Sequence, residues 1–283
     1  MIAHLTGQGY SARECCRILD LSRAGYLLWK QRGPTPQELR RHWLTGLIRE
    51  VHAASRGTYG RRRVLAELVI GRQIAVNKKL VARIMTECGL FGLPIKKVRR
   101  GPSGAVACSD LVRREFRSDQ PNRLWMTDIT EHFTREGKVY CCAVLDAHSR
   151  RVVGWSIDTS QTAALVTNAL GMAITNRRPG AGAVVHSDHG SQFTSWVFSQ
   201  RVSEAGLMPS MGKVGSAVDN AMMESFWARM QTELLDRQKW NTRLQLANEM
   251  FEYLEIFHNR IRRHSSLGML TPIEFEEGVR GAV

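Results

Sequence analysis

The sequence predicts an α/β protein in which a basic, all-helical front precedes a mixed sheet flanked by helices. Three observations carry this. The hydrophobic rhythm is helical up to about residue 100, then changes after residue 120, where short apolar runs alternate with turns. Two helix-breaking stretches, Gly33-Pro34-Thr35-Pro36 and Arg99-Arg100-Gly101-Pro102-Ser103-Gly104-Ala105, divide the chain. Charge is divided too: residues 1–120 hold 23 Lys and Arg against 9 Asp and Glu, while residues 121–283 hold 17 of each. The whole net charge of +14 therefore lies at the front, as for a polyanion-binding region joined to a neutral one.

The remaining composition narrows the class. With 283 residues, 43% hydrophobic and 23% charged, the chain buries a core and is not disordered. No uncharged apolar run reaches about 18 residues, so no membrane span is expected. Met1 to Gly7 lacks the basic start and apolar centre of an export signal. The six cysteines form two adjacent pairs, Cys15-Cys16 and Cys141-Cys142, with Cys88 and Cys108 alone. Without a C-x-x-C pair they suggest no zinc site, and a reducing, cytoplasmic setting is expected.

Residues 1–33 read as a helix-turn-helix-like segment. Ser11-Ala12-Arg13-Glu14 has capping-box form, opening a helix with Cys15, Cys16, Ile18 and Leu19 on its apolar side. After the turn at Asp20-Leu21, Ser22 caps a second helix carrying Arg23, Tyr26, Leu27, Trp29 and Lys30; Arg23 and Lys30 are candidate DNA contacts.

Residues 37–100 form a helical DNA-binding domain in this reading. A helix spans 37–54, with Leu39, Trp43, Leu47, Ile48 and Val51 at helical spacing. Ser55-Arg56-Gly57-Thr58-Tyr59-Gly60 breaks it, and Arg61-Arg62-Arg63 opens the next helix. Cations at a helix start oppose the helix dipole, which favours a phosphate-contacting role for all three. Asn77 caps a third helix, Lys78 to Cys88, stopped by Gly89. Lys96, Lys97, Arg99 and Arg100 continue the basic track toward a linker at 101–118.

The second half, 119–240, reads as strands Leu124 to Phe133, Val139 to Asp146 and Arg151 to Ile157, then a helix Gln161 to Thr175. A strand Ala183 to Ser187 and helices Gln192 to Ala205 and Ala217 to Leu235 follow, giving a mixed sheet covered on both faces. A helical extension, 241–283, begins with Thr242 to Phe257 and then carries Arg260, Arg262, Arg263 and His264, a basic patch read as phosphate-contacting.

Three acids stand out in this half. Asp128 lies inside an apolar strand, where a charge is unfavourable unless paired or metal-bound. Asp188 ends a strand, where α/β sheets place ligands. Glu224 lies on a helix with Asn220 one turn before it, a residue suited equally to a scissile phosphate or to Glu224 itself. Three carboxylates from two strands and a helix can hold two divalent cations about 4 Å apart for phosphodiester chemistry, and oxygen-only ligands favour Mg²⁺ or Mn²⁺. Taken singly, each acid also has a plainer role: strand acceptor, turn residue and helix-surface charge. His186 and His189 fit a turn or DNA contact better than a metal, Ser187 and Gln192 fit structure and site equally, and Trp125 and Trp155 fit the core.

The flanks of these acids carry a resemblance. Fifty-nine residues separate Asp128 from Asp188 and 35 separate Asp188 from Glu224, similar to the D, D, thirty-five, E pattern of retroviral-type integrases and bacterial transposases. Trp125-x-x-Asp128-Ile129-Thr130, Asp146-x-x-Ser149-Arg150-x-Val152-Val153-Gly154-Trp155 and His186-Ser187-Asp188-x-Gly190-Ser191-Gln192-Phe193 resemble the OrfB-type transposases of the insertion sequence 3 family. So do Asp219-Asn220-Ala221-x-x-Glu224-Ser225-Phe226, the tail His258-Asn259-Arg260-x-Arg262-Arg263-His264 and Thr271-Pro272-x-Glu274. Upstream, Ser55 to Gly60 and Gly89-Leu90-x-Gly92 fit the family's helical region.

The resemblance implies an RNase H-like, five-stranded mixed sheet with Asp128, Asp188 and Glu224 as catalytic metal ligands for two Mg²⁺ or Mn²⁺ ions. It implies a bacterial DNA transposase that nicks mobile-element ends, the freed 3′-hydroxyl then attacking a second phosphodiester. The expected partners are double-stranded DNA (terminal repeats and target), further copies of the chain on that DNA, and an upstream open-reading-frame product or fusion. A nucleoid-associated location follows. The competing readings are an RNase H-like nuclease without strand transfer and a catalytically silent, sequence-specific DNA-binding regulator.

Overall fold

A computed structural model describes residues 1–94, 118–211 and 221–278. The chain divides into two compact units, Met1–Arg49 and Glu50–Val283. Lys96, Lys97, Arg99, Arg100 and Asn220 lie outside the described residues.

The first unit is helical. Helices α1 (Ile2–Gly7), α2 (Ala12–Ile18) and α3 (Arg23–Gln31) gather Ile2, Cys15, Cys16 and Tyr26 into a small core. Ser22 caps α3 by accepting the Gly25 N–H (3.2 Å), whereas Ser11 accepts the Arg13 N–H (3.3 Å) without the box expected with Glu14. Ile18, expected inside, closes α2 and is 76% exposed. Helix α4 (Pro36–Ala54) starts with the reciprocal cap that α2 lacks: Glu38 accepts the Thr35 N–H (2.7 Å) and Thr35 accepts the Glu38 N–H (3.3 Å). Its buried stripe is Leu44, Ile48 and Val51, while the expected Leu39 and Trp43 are exposed.

The second unit opens with α5 (Arg61–Ala66), which continues into a wider π-type turn, Glu67–Gly71, and with α6 (Lys78–Glu87). Asn77 caps α6 through the Lys79 N–H (2.8 Å), and Gly89, at φ +65, ends it in the left-handed conformation that glycine adopts freely.

The sheet follows as β1 (Leu124–Thr134), β2 (Gly137–Asp146) and β3 (Val152–Asp158), then α7 (Ala163–Arg177), β4 (Val184–Ser187), α8 (Trp196–Glu204) and β5 (Met208–Met211). Its order is β3-β2-β1-β4-β5: the first three strands form an antiparallel meander, and β1/β4 and β4/β5 are parallel. β5 is a strand that the sequence rhythm does not reveal. It is short and contains Pro209, which an edge position tolerates. The expected helix from Gln192 begins only at Trp196, because Ser195 takes the Phe198 N–H as its cap. Trp125, Val144, Val153 and Val185 of the sheet pack with Leu165, Ala169 and Ala173 of α7 and Phe198 of α8. Gly154 is required where α7 crosses β3, since a Cβ there would lie 2.3 Å from the Ala169 carbonyl oxygen.

Helix α9 (Ala221–Glu233) precedes α10 (Arg243–Phe251), which runs on as a π-wound stretch, Glu252–Ile261, past the expected end at Phe257. The tail motif closes the sheet edge. The Asn259 side chain accepts the Val152 N–H and donates to the Val152 carbonyl, both at 2.9 Å, and satisfies a strand edge that would otherwise pair elsewhere. A short α11 (Pro272–Glu276) carries the Thr271/Glu274 capping box and Glu276, which receives Ser149, Arg151 and Arg177.

Candidate active site

β1 and β4 run parallel with Met126 beside His186. Asp128 lies two residues further along β1, and Asp188 lies two residues after His186, one past the end of β4, so both stand just beyond the last residues paired between these two strands. Glu224 stands in the first turn of α9. A mid-strand residue, a strand-end residue and a helix residue thus meet at the carboxyl end of β4, where open α/β sheets place ligands.

Asp128 is half-buried, while Asp188 and Glu224 are exposed. One Asp128 oxygen accepts the Ile129 N–H (2.8 Å) and the other accepts the Trp227 indole N–H (3.2 Å). Burial pushes the Asp128 carboxyl up to about 6; the Ile129 and Trp227 N–H groups oppose this, and the negative charges of Asp188 and, less, Glu224 add to it. Asp188 keeps one oxygen on the Gly190 N–H (3.0 Å), an Asx-type turn.

Three mutually repelling carboxylates with only oxygen donors fit a hard divalent cation in chemistry and in charge. Among the described residues, no group of three or more His, Cys, Asp or Glu is drawn together tightly enough to hold a metal ion. The acids are neighbours, not a closed cage.

Trp227 was not singled out from sequence. Its position, three residues after Glu224, places it on nearly the same helix face and is the signal that could have found it. The flanking residues have structural partners: His186 is buried against Ser210 (3.0 Å), and Gln192 donates to the Gln161 carbonyl (3.2 Å). Trp125 is fully buried, and the Trp155 indole donates to Glu255 (2.7 Å).

Of the basic candidates, Arg23, Lys30, Arg61, Arg62 and Arg260 are exposed. The rest of the tail patch is corrected: Arg262, Arg263 and His264 are buried and face no solvent that DNA could occupy. Arg263 binds Glu67 (2.7 Å) and Glu274 (2.7 Å), and Arg262 binds Glu233 through two bonds of 2.7 and 2.6 Å. The three cationic-looking residues fill an interior whose acids come from distant segments. His264 packs edge-on against His258 (4.8 Å), and burial holds its imidazole well below the ordinary value, hence neutral. Arg63 is also drawn in, donating to the Arg263 carbonyl (3.0 Å).

Among the described residues no helix is long and apolar enough to cross a membrane. Comparison with known proteins adds the family. Residues 38–98 match an HTH-like domain, and residues 118–217 and 205–272 match integrase core domains. Over 265 residues the chain is 34% identical to the insertion element IS600 uncharacterized 31 kDa protein of Shigella sonnei, covering 93% of this chain and 97% of that one. It is 32% identical over 273 residues to transposase InsF for insertion sequence IS3A of Escherichia coli, covering 94% of each. Among solved structures, the HTLV-2 integrase catalytic core domain in complex with magnesium aligns at a TM-score of 0.46 and 19% identity, over 56% of this chain and 99% of that one. With a third of its residues shared along nearly the full length of these relatives, and an HTH-like domain ahead of an integrase core, the chain belongs to the insertion-sequence transposases of the insertion sequence 3 family.

Proposed function

We propose that this transposase cuts phosphodiesters at the ends of its mobile element and joins the freed strands to target DNA, with Asp128, Asp188 and Glu224 as its catalytic carboxylates. The observation that carries the reading is the meeting of these acids from β1, the end of β4 and the start of α9, close enough that Asp188 and Glu224 raise Asp128. Asp128, Asp188 and Glu224 would hold two Mg²⁺ or Mn²⁺ ions, which when bound would activate the attacking oxygen and neutralise the leaving one.

The chain's own part is positioning and charge. The β1 ladder holds Asp128 on a rigid strand, and the turn closed by the Gly190 N–H holds Asp188 just past the end of β4. The Trp227 indole fixes one Asp128 oxygen, leaving the carboxylate a defined orientation. In the first reaction water attacks phosphorus and a 3′-hydroxyl leaves. In the second that hydroxyl attacks another phosphodiester. Each step exchanges one P–O bond for another, so neither a covalent protein–DNA intermediate nor an external energy source is required. Arg23, Lys30, Arg61, Arg62 and Arg260, all exposed, are the DNA contacts in this reading. Double-stranded DNA in the bacterial cytoplasm is the partner, and several copies of the chain assemble on the two ends.

The test is a Mg²⁺-dependent assay on labelled DNA carrying the element's ends, comparing wild type with Glu224→Gln. Nicking and joining by wild type, with binding but no cutting by the variant, is the expected result. Cutting without joining returns the reading to a nuclease. Binding without cutting by either protein returns it to a DNA-binding regulator.

A further inference from the structure

The three consecutive arginines at the start of α5 are not equivalent. At 3.6 residues per turn, neighbours in sequence point in different directions. Arg63 turns inward to the Arg263 carbonyl (3.0 Å), with Tyr59 5.9 Å and Glu233 4.0 Å away. Arg61 and Arg62 stay exposed and meet Lys78 and Lys79, the first residues of α6, around a groove of about 370 Å³ that Leu65 and Ala82 also line.

This groove concentrates positive charge that nothing nearby neutralises. Neither helix has an acid in its first turn. Counting three or four residues in either direction from any of the four cations reaches no Asp or Glu. Glu67, the acid in the next turn of the α5 segment, is taken by Arg263 at 2.7 Å. Among the described residues, none of the four cations makes an ion pair. Cations at helix starts also oppose the helix dipoles, so the cluster disfavours the free fold and gains from a bound polyanion. The lining presents guanidinium and ammonium donors on aliphatic carbon, a donor set that phosphate oxygens accept from.

We propose that this groove seats the sugar–phosphate backbone of duplex DNA, with Arg61, Arg62, Lys78 and Lys79 each on a phosphate and Arg63 excluded. The groove supplies affinity and register and leaves sequence to other contacts. The proposal rests on the reading of the chain as a transposase acting on duplex DNA.

The test measures Kd against salt for the full chain on element-end DNA and on a scrambled duplex of equal length. The variants are a fourfold glutamine change (Arg61→Gln, Arg62→Gln, Lys78→Gln, Lys79→Gln) and a charge-keeping set (Arg61→Lys, Arg62→Lys, Lys78→Arg, Lys79→Arg). Each phosphate contact contributes about 0.9 to the log–log salt slope, so four contribute about 3.6, and between 50 and 200 mM salt wild type should lose roughly 150-fold more affinity than the glutamine variant. The charge-keeping set should retain the wild-type slope. The glutamine variant should weaken on both duplexes alike, with a melting temperature no lower than wild type, since it relieves charges facing the dipoles. An unchanged slope in a folded variant that still binds and cuts DNA overturns the groove assignment alone. Weakening confined to the element-end duplex overturns the backbone mode. A wild type that binds neither duplex overturns both the groove and the transposase reading beneath it.

Discussion

Replacing Glu233 by glutamine tests the interior that this fold builds from charged residues. Glu233 ends α9, the helix that also carries Glu224, and its side chain is only 5% exposed. Its carboxylate receives two bonds from Arg262, 2.7 and 2.6 Å, and one from the Tyr253 hydroxyl at 3.0 Å, with Arg63 a further 4.0 Å away. Burial alone would raise this carboxyl. The Arg262 bonds and charge, with Arg63 and Tyr253, outweigh it and hold the group below its ordinary value of 4.5. Stability from the pair is therefore present above that value and is lost as pH falls through the lower folded value.

In the Glu233→Gln variant the Arg262 guanidinium, 1% exposed, keeps its charge but loses its counter-ion, and its Nη1 already has no partner. Removing one member of a buried pair costs about 3–5 kcal/mol. That is a large share of a stability typically about 5–15 kcal/mol. Urea unfolding followed by circular dichroism should show this loss at pH 7. A double variant, Glu233→Leu with Arg262→Met, should be more stable than Glu233→Gln, because it removes both charges and keeps the volume. A loss under about 1 kcal/mol for the single variant, or a double variant worse than the single, refutes the assignment of this pair as a buried, mutually dependent strut.

Three other outcomes follow. Trp227→Phe keeps the ring and removes the N–H that Asp128 accepts at 3.2 Å; a hydrogen bond to a charged group lost in the reacting state predicts a roughly 10- to 100-fold fall in turnover with DNA affinity unchanged, read by single-turnover cleavage and binding titration. The His258 Nε2–H donates to the Arg150 carbonyl at 2.8 Å, and burial pushes its imidazole down to about 3. The folded chain thus stays unprotonated while the unfolded chain gains a proton below 6.5, so His258→Leu should flatten the loss of stability between pH 7.5 and 5.5 by about 1.4 kcal/mol, as measured by urea midpoints. Mg²⁺ should raise the melting temperature of wild type, by the equivalent of about 2.7 kcal/mol at one hundred times its Kd, and chelation should reverse the gain; Asp188→Asn should abolish it, and an equal gain in that variant would remove Asp188 from the proposed site.

Much of this molecule is legible in local sequence because local sequence is where its causes lie. Asn77, Ser22 and Gly89 act on backbone groups within a turn of themselves, so the ends of their helices could be read directly. The meander from Leu124 to Asp158 was legible because strand periodicity and the Arg135 to Lys138 turn are local features. The three acids stood out because a charge inside an apolar strand, a charge at a strand end and their spacing are visible without coordinates. Sequence therefore determined the helical front, the antiparallel meander with β4, and the identity of the candidate site residues.

Tertiary structure decided what depends on partners far away in the chain. Whether an arginine in the tail meets solvent or a carboxylate is set by Glu67, Glu233 and Glu274, so Arg260 stays outside while Arg262 and Arg263 are buried. The same physics separates Arg63 from Arg61 and Arg62, and brings Lys78 and Lys79 beside the latter pair. β5, short and holding a proline, becomes a strand only because β4 offers it a parallel ladder. The Trp227 bond exists because α9 packs against β1 beside Asp128. Periodicity and capping act over one turn, whereas burial and ion pairing act between segments that only the fold brings together.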